Sequence, residues 1–341
     1  MICFSSSAGG LTLGEEARLT AFVIRRLLQA LAVLFVTSVI VFAGVYAIGD
    51  PLEILLPADA TMAEREQVTR SLGLDKPLIV QYGLFLWNAL HGDLGTSFVY
   101  NQPSISIILQ RLPATLELAF SALFLSIIIG IPLGLWSGLR RGTTVDETIM
   151  TGSILGFSLP NFWQGMMLIM IFSVYLGWLP STGRGQTGTI FGVETSFATW
   201  DGIRHLILPA VNLSLAKIAL VIRLTRTGVQ ETMPLDFIKF ARARGLSSRR
   251  IVLVHVLKHI LIPIITVIGV EFGSLIAFAV VTETIFSWPG VGKLIIDSIR
   301  VLDRPIVVAY ILVVVTMFIT INLIVDILYS ILDPRIRSKA Q

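Results

Sequence analysis

The chain contains a single cysteine, Cys3, among 341 residues. That excludes an internal disulfide framework and a metal site built on cysteine. Histidine is almost as scarce, with four in all, and no plausible catalytic base stands beside a nucleophile, so no enzymatic activity is expected of this chain. Charge is also low: Asp, Glu, Lys and Arg make up 14% of the residues, against roughly 25% in soluble domains. Hydrophobic residues account for 54% and the mean hydropathy is +0.82. An all-α integral membrane protein follows. The net charge of +4 does not indicate nucleic acid, because the basic residues cluster in short loops beside apolar runs.

Six spans are expected, at about 22–48, 114–139, 148–177, 205–228, 251–283 and 306–332. The first apolar run, Leu27 to Gly49, is uncharged over its whole length. It is too long for a signal-peptide core and long enough for roughly 30 Å of hydrocarbon. Arg25 and Arg26, Arg140 and Arg141, the basic residues of 239–250, and Arg335, Arg337 and Lys339 all fall at span ends of one side. That side is the cytoplasm, with both termini inside. Arg223 and Arg226, near a cytosolic span end, are expected to snorkel. The chain divides into a cytosolic tail (1–21), a first span plus an external helical region (22–111), and a five-span core (112–341).

The external region from Asp50 to Arg111 carries seven acidic and four basic residues. Pro51, Pro57, Pro77, Gly92 and Gly95 break it into short helices, one of them opened by a capping box of Thr61 and Glu64. Gly152, Gly156, Pro160 and Gly165 in the third span, and Pro263, Gly269 and Gly273 in the fifth, suit close packing or kinks.

Three motifs mislead. Ser287 to Leu294 (SWPGVGKL) approaches a phosphate loop, but Ser287 replaces the opening glycine and Leu294 the Mg²⁺-binding Ser or Thr. His255 and His259 have zinc-ligand spacing, but Val256 replaces the general-base Glu and Lys258 repels a cation. Gly156 to Pro160 lacks the second glycine of a nucleophile elbow. Two charges remain to be explained: Lys217 near the middle of the fourth span and Glu271 near the middle of the fifth. A charge at that depth costs about 2.5–3.5 kcal/mol, so each should face the bundle interior and seek a partner. They either line a translocation path and meet a zwitterionic substrate, or form a structural ion pair.

The most telling segment is the polar island Asp236 to Arg250, DFIKFARARGLSSRR. It reads as a short cytosolic helix stopped at Gly245, with Phe237, Phe240 and Ala241 on one side. Held between two membrane helices, such a helix suits a soluble partner that pushes on it.

With His255, Ile262 and Pro263, this segment resembles the EAA loop of binding-protein-dependent ABC importer permeases, specifically the peptide/nickel group. Thr282 to Leu294 resembles that group's external signature. Asn322 to Tyr329 with Asp333-Pro-Arg-Ile-Arg resembles its C-terminal end, and Leu112 to Ala119 the start of its core. Arg25-Arg26-Leu-Leu, Gly49-Asp-Pro and Leu72-Gly-Leu-Asp-Lys-Pro resemble the N-terminal part of its dipeptide permease B type. The resemblance covers about 22–338. Lys239 departs from it, standing where the general pattern has Glu, as do Lys217 and Glu271, at positions usually uncharged.

The resemblance implies a type I importer-like permease of the bacterial inner membrane, importing a dipeptide, an oligopeptide or a similar small solute. It also implies a homologous second permease, two cytosolic ATPase subunits and an external solute-binding protein. ATP and Mg²⁺ would be bound by the ATPases, with no cofactor in this chain. The coupling residues it implies are Asp236, Phe237, Phe240, Ala241, Arg242, Ala243, Arg244 and Gly245, with Phe237 and Phe240 as apolar anchors and Arg242 and Arg244 as polar contacts. The alternative is an ion-coupled secondary transporter built on Lys217 and Glu271.

Overall fold

A computed structural model describes residues 13–47, 52, 56, 60–71 and 75–332. Cys3, the Gly49-Asp50-Pro51 motif, the Leu72–Leu74 part of its neighbour, and the C-terminal Asp333, Arg335, Arg337 and Lys339 lie outside the described residues.

The first helix, α1 (Leu13–Ala47), begins inside the expected tail. No proline interrupts residues 13–21, and Leu, Glu, Ala and Arg there favour continuation of the helix. Two external helices follow, α2 (Met62–Ser71) and α3 (Leu78–Leu90). The capping box at α2 forms: Glu64 accepts from the Thr61 backbone N–H at 2.8 Å, and Thr61 Oγ1 accepts from the Glu64 N–H at 3.3 Å. The Thr61 backbone and hydroxyl hydrogen bonds hold the Glu64 carboxyl below its ordinary range. Helix α3 lies against α1, where Ser38 and Tyr82 hydroxyls meet at 2.8 Å and Phe42 stacks near Tyr82 and Phe85.

The long core helices are α4 (Ser104–Leu139), α7 (Trp200–Thr232), α9 (Leu257–Ile285) and α11 (Arg304–Leu332). Helix α9 is led in from the cytosolic side by Ser248–Arg250 and a wider, π-helical stretch Ile251–Val256. Helix α4 starts well before residue 114 and runs unbroken through 111–112. Its outer end, Ile107 and Ile108, is buried against Val291, Leu294 and Ile306.

The third span is not one straight helix. It divides into α5 (Thr144–Ser158) and α6 (Asn161–Leu168), which continues through a π-helical Ile169–Tyr175, and the two parts meet at 103°. Pro160 has no N–H to give, and the residue before a proline avoids the helical region; Leu159 is extended, with ψ 138. The carbonyls freed at the break are satisfied by Gln164, whose Nε2 donates to Gly156 O at 2.6 Å and Leu159 O at 3.0 Å. With that pair taken as one crossing, the described residues give the six spans expected.

The fold is all-α as expected, with a small external hairpin, β1 (Gly188–Ile190) against β2 (Val193–Thr195). Phe191 and Gly192 both have positive φ (52 and 80), as a tight two-residue hairpin turn of matching twist requires. Helix α10 (Val291–Arg300) packs its apolar side under the outer ends of α4 and α11.

Helices α4 and α7 approach most closely. Gly130, Gly134 and Gly138 repeat every fourth residue along α4 and meet Val221, Thr225 and Val229 of α7. A Cβ built on Gly134 would lie 2.5 Å from Thr225 Cβ, so only glycine allows this approach. Of the glycines singled out in the sequence, Gly269 and Gly273 do pack closely, against Val325 and Phe318 of α11, whereas Gly152 and Gly156 have open space where a Cβ would stand.

Candidate coupling surface and membrane path

The cytosolic island folds as α8 (Asp236–Ala243) between α7 and the lead-in to α9. Its end is a Schellman stop. Gly245, at φ +75, donates from N–H to Arg242 O at 2.9 Å, and Leu246 N–H donates to Ala241 O at 3.3 Å. That is the pattern in which the left-handed residue closes the last turn.

Successive residues turn by about 100°, so the apolar arc Phe240, Phe237, Ala241, Ile238 spans roughly 160° of α8. The structure splits that arc. Ile238 and Ala241 are buried in one cluster with Val221 and Val229 of α7, Ile251 and Val256 of the lead-in to α9, and Ile260 in its first turn. Phe237 and Phe240 face outward, 41% and 63% exposed. Ala241, expected beside the two phenylalanines, therefore belongs to the buried half: the bundle takes the side of the arc nearest the membrane. The Phe237 ring lies 5.6 Å from that of His259, and the Arg244 guanidinium lies 5.6 Å over Phe240. Lys239 pairs with Asp236 at 2.8 Å on the open side. Arg242, Ala243, Arg244 and Gly245 are exposed.

Above α8, Asp146 at the start of α5 is 3% exposed. Arg226 grips it with both arms, Nε to Oδ1 at 2.7 Å and Nη2 to Oδ2 at 2.8 Å. Ser137 Oγ adds a donor at 2.5 Å and the Gly142 N–H another at 3.0 Å. Arg226 thus does not snorkel: a buried carboxylate at the foot of the third span claims it.

At mid-depth, Lys217 Nζ donates to Glu271 Oε2 and, at 3.1 Å, to Ser274 Oγ. Ser274 Oγ also donates to Glu271 Oε2 at 2.8 Å. The two side chains keep 22% and 27% of their surface open. Outward from there, Asn212 of α7, Asn161 at the break in the third span and Thr282 of α9 share hydrogen bonds.

At the external end the near-phosphate loop has a clear role. Its turn cradles a carboxylate of the same chain. Glu283 is fully buried; it accepts from Thr115 Oγ1 at 2.6 Å and from the Lys293 N–H at the start of α10 at 2.9 Å. A helix N-terminus is a natural seat for an anion. Trp288, also fully buried, donates from Nε1 to Ala114 O at 2.8 Å. Glu117 is held by Arg184 and by the Ser196 N–H at 2.8 Å, tying the hairpin loop to α4. Asp303 accepts from Ser97 Oγ at 2.5 Å and the Phe98 N–H at 3.2 Å.

Sequence reasoning missed these anchors, Asp146, Glu283, Glu117 and Asp303. Asp146 had one legible signal, its place three residues after the N-cap Thr143. Glu283 had another, a carboxylate just before a glycine turn that opens a helix.

Residues 130–338 match the family described as "Binding-protein-dependent transport system inner membrane component", and residues 19–119 match its N-terminal companion. The chain is 39% identical over 337 residues to the dipeptide transport system permease protein DppB of Escherichia coli (strain K12), covering 93% of this chain and 99% of that one. It is 39% identical over 320 residues to the oligopeptide transport system permease protein AppB of Bacillus subtilis (strain 168), with the same coverage. It is 37% identical over 319 residues to the glutathione transport system permease protein GsiC of Escherichia coli O6:H1, again covering 93% and 99%. Among solved structures, an inward-facing form of the MetNI methionine ABC transporter superposes with TM-score 0.51 at 16% identity, covering 67% of this chain and 97% of that one, a likeness of fold. The ion-coupled alternative gains no support from any of these likenesses. The chain belongs to the binding-protein-dependent transport system inner membrane components, as a multi-pass permease subunit of an ABC importer.

Proposed function

We propose that this permease imports short peptides, and that α8 is where cytosolic ATPase subunits act on it. The substrate reading is supported by the names of its relatives, which are dipeptide, oligopeptide and glutathione permeases. The coupling reading rests on one observation. Helix α8 offers Phe237 and Phe240 outward while Ile238 and Ala241 are buried against α7 and the base of α9. An exposed aromatic pair on a short helix suits helix-in-groove recognition. Arg242 and Arg244 flank it as polar contacts, and Asp236, Ala243 and Gly245 shape its ends.

In this reading a homologous permease completes the path, and a solute-binding protein docks on the external side, over 50–111, the loops near 178–204 and those near 284–305. ATP binding brings the two coupling helices together and tips the bundle between inward- and outward-open states. The nucleotide and Mg²⁺ chemistry belongs to the ATPases.

The test is purification of the tagged chain in mild detergent from its native host, followed by mass spectrometry, then ATP-driven uptake of radiolabelled dialanine after reconstitution. Recovery of a second permease and ATPase subunits, with uptake, is the expected result. A chain that purifies without an ATPase overturns the coupling reading; a complete complex that transports no peptide overturns the substrate.

A further inference from the structure

We infer that Lys217, Glu271 and Ser274 form a binding site inside the membrane for the two charged ends of a zwitterionic substrate; this rests on the peptide reading above.

Three observations carry it. The first is depth. Lys217 sits one residue past the midpoint of the 33-residue α7 and Glu271 at the midpoint of the 29-residue α9.

The second is an opening. Helix α7 is the most buried of the five unbroken membrane-crossing helices, with 56% of its apolar window enclosed against 33% or less for the other four. Yet Leu215 to Leu220 is a run of six residues that are all only half-buried, between buried Ser214 and Val221. Six residues are more than a full turn, so at its waist no side of the central helix is fully covered. Lipid cannot be what meets the charges there, since hydrocarbon against an ammonium and a carboxylate is costly. The open side therefore faces the cleft that the second permease closes.

The third observation is unused valence. An ammonium has three donors, and Lys217 spends two, on Glu271 and Ser274. Glu271 accepts from both partners through Oε2, and its Oε1 takes no hydrogen bond among the described residues. One donor and one acceptor oxygen remain side by side. A peptide carboxylate complements the first and a peptide ammonium the second. Two extended residues span at most about 7 Å, so the ends of a dipeptide can bracket the pair in one step. The exchange conserves charge, because the Lys217–Glu271 pair and the zwitterion are each net neutral, and no bare charge is left in a low-dielectric site.

The experiment compares the purified complex, carrying this chain with its partner subunits, in proteoliposomes. Dialanine transported per ATP hydrolysed is measured for wild type, for Lys217→Met combined with Glu271→Gln, and for the exchange Lys217→Glu with Glu271→Lys. A purely structural pair tolerates joint neutralisation, since apolar or neutral replacements of a buried pair keep the fold. A substrate site does not. The expected result is assembly and ATP hydrolysis near wild type with dialanine per ATP lowered at least about tenfold, the scale of one lost charge-assisted contact. The exchange keeps the ion pair, so it assembles even if neutralisation impairs folding, and its ratio should also fall because Ser274 then lies beside a lysine. A wild-type ratio in either assembled variant overturns the site while leaving peptide import intact. Absence of dialanine uptake by the wild-type complex overturns the peptide reading and this one with it.

Discussion

Arg226 Nε and Nη2 reach the two oxygens of Asp146 at 2.7 and 2.8 Å, joining the foot of α5 to the cytosolic third of α7. The guanidinium fork matches a carboxylate in two parallel bonds, which an ammonium cannot reproduce. Because Asp146 is 3% exposed, removing its partner leaves a charge with nowhere to go. Arg226→Met should cost about 3–5 kcal/mol, and Arg226→Lys less. Thermal unfolding of the detergent-solubilised chain checks the order; equal midpoints for both variants and wild type would show that the pair carries no stability.

The glycine row of α4 makes a sharper claim, because it includes a control. Gly134→Ala puts a methyl 2.5 Å from Thr225 Cβ, while Gly44→Ala meets nothing within 4 Å. Overpacking of this kind costs about 1–3 kcal/mol. The first variant should unfold at a lower temperature and the second should match wild type. Similar behaviour of the two would mean that α4 and α7 separate freely.

For α8, the split arc predicts opposite phenotypes from neighbouring residues. Phe240→Asp changes an exposed ring and should leave the permease folded in the membrane while releasing the ATPase. Ile238→Asp buries an unpaired charge under α7 and should deplete the folded protein itself. Quantitative blotting of membranes and of co-purified ATPase separates the two; ATPase retained by Phe240→Asp would count against the docking surface.

Glu283 makes a fourth case. Glu283→Ala strips the acceptor from Thr115 Oγ1 and from the Lys293 N–H, so the outer turn between α9 and α10 should loosen. Glu283→Gln keeps one acceptor oxygen and should lose less, by the cost of an unsatisfied buried donor, about 1–3 kcal/mol. Protease sensitivity of the external loops in spheroplasts reports it, and unchanged cleavage in the alanine variant would rule the anchor out.

Crossings were legible in the sequence because they depend on composition summed over some twenty residues, and Gly245 was legible because one conformational demand decides it. The break at Leu159–Pro160 was half legible. Proline marked the place, but its 103° bend depends on Gln164 reaching back to the stranded carbonyls, a contact no local rule contains. The anchors at Asp146 and Glu283 were hidden for the same reason. Arg226 lies eighty residues from Asp146 and Thr115 lies 168 from Glu283, and a charged residue at a span end looks alike whether it meets water or a buried partner. Ala241 was misplaced by a smaller margin: a helical arc is continuous in sequence, and only tertiary packing decides where it is cut.

That cut has a mechanical consequence. A segment tied to the bundle only by flexible ends would swing when pulled and dissipate the stroke. Ile238 and Ala241 are instead packed between α7 and the base of α9, and the Gly245 N–H closes the last turn on Arg242 O. If ATPase subunits press on Phe240 as proposed, the push meets side chains already packed against the feet of the two helices that carry Lys217 and Glu271.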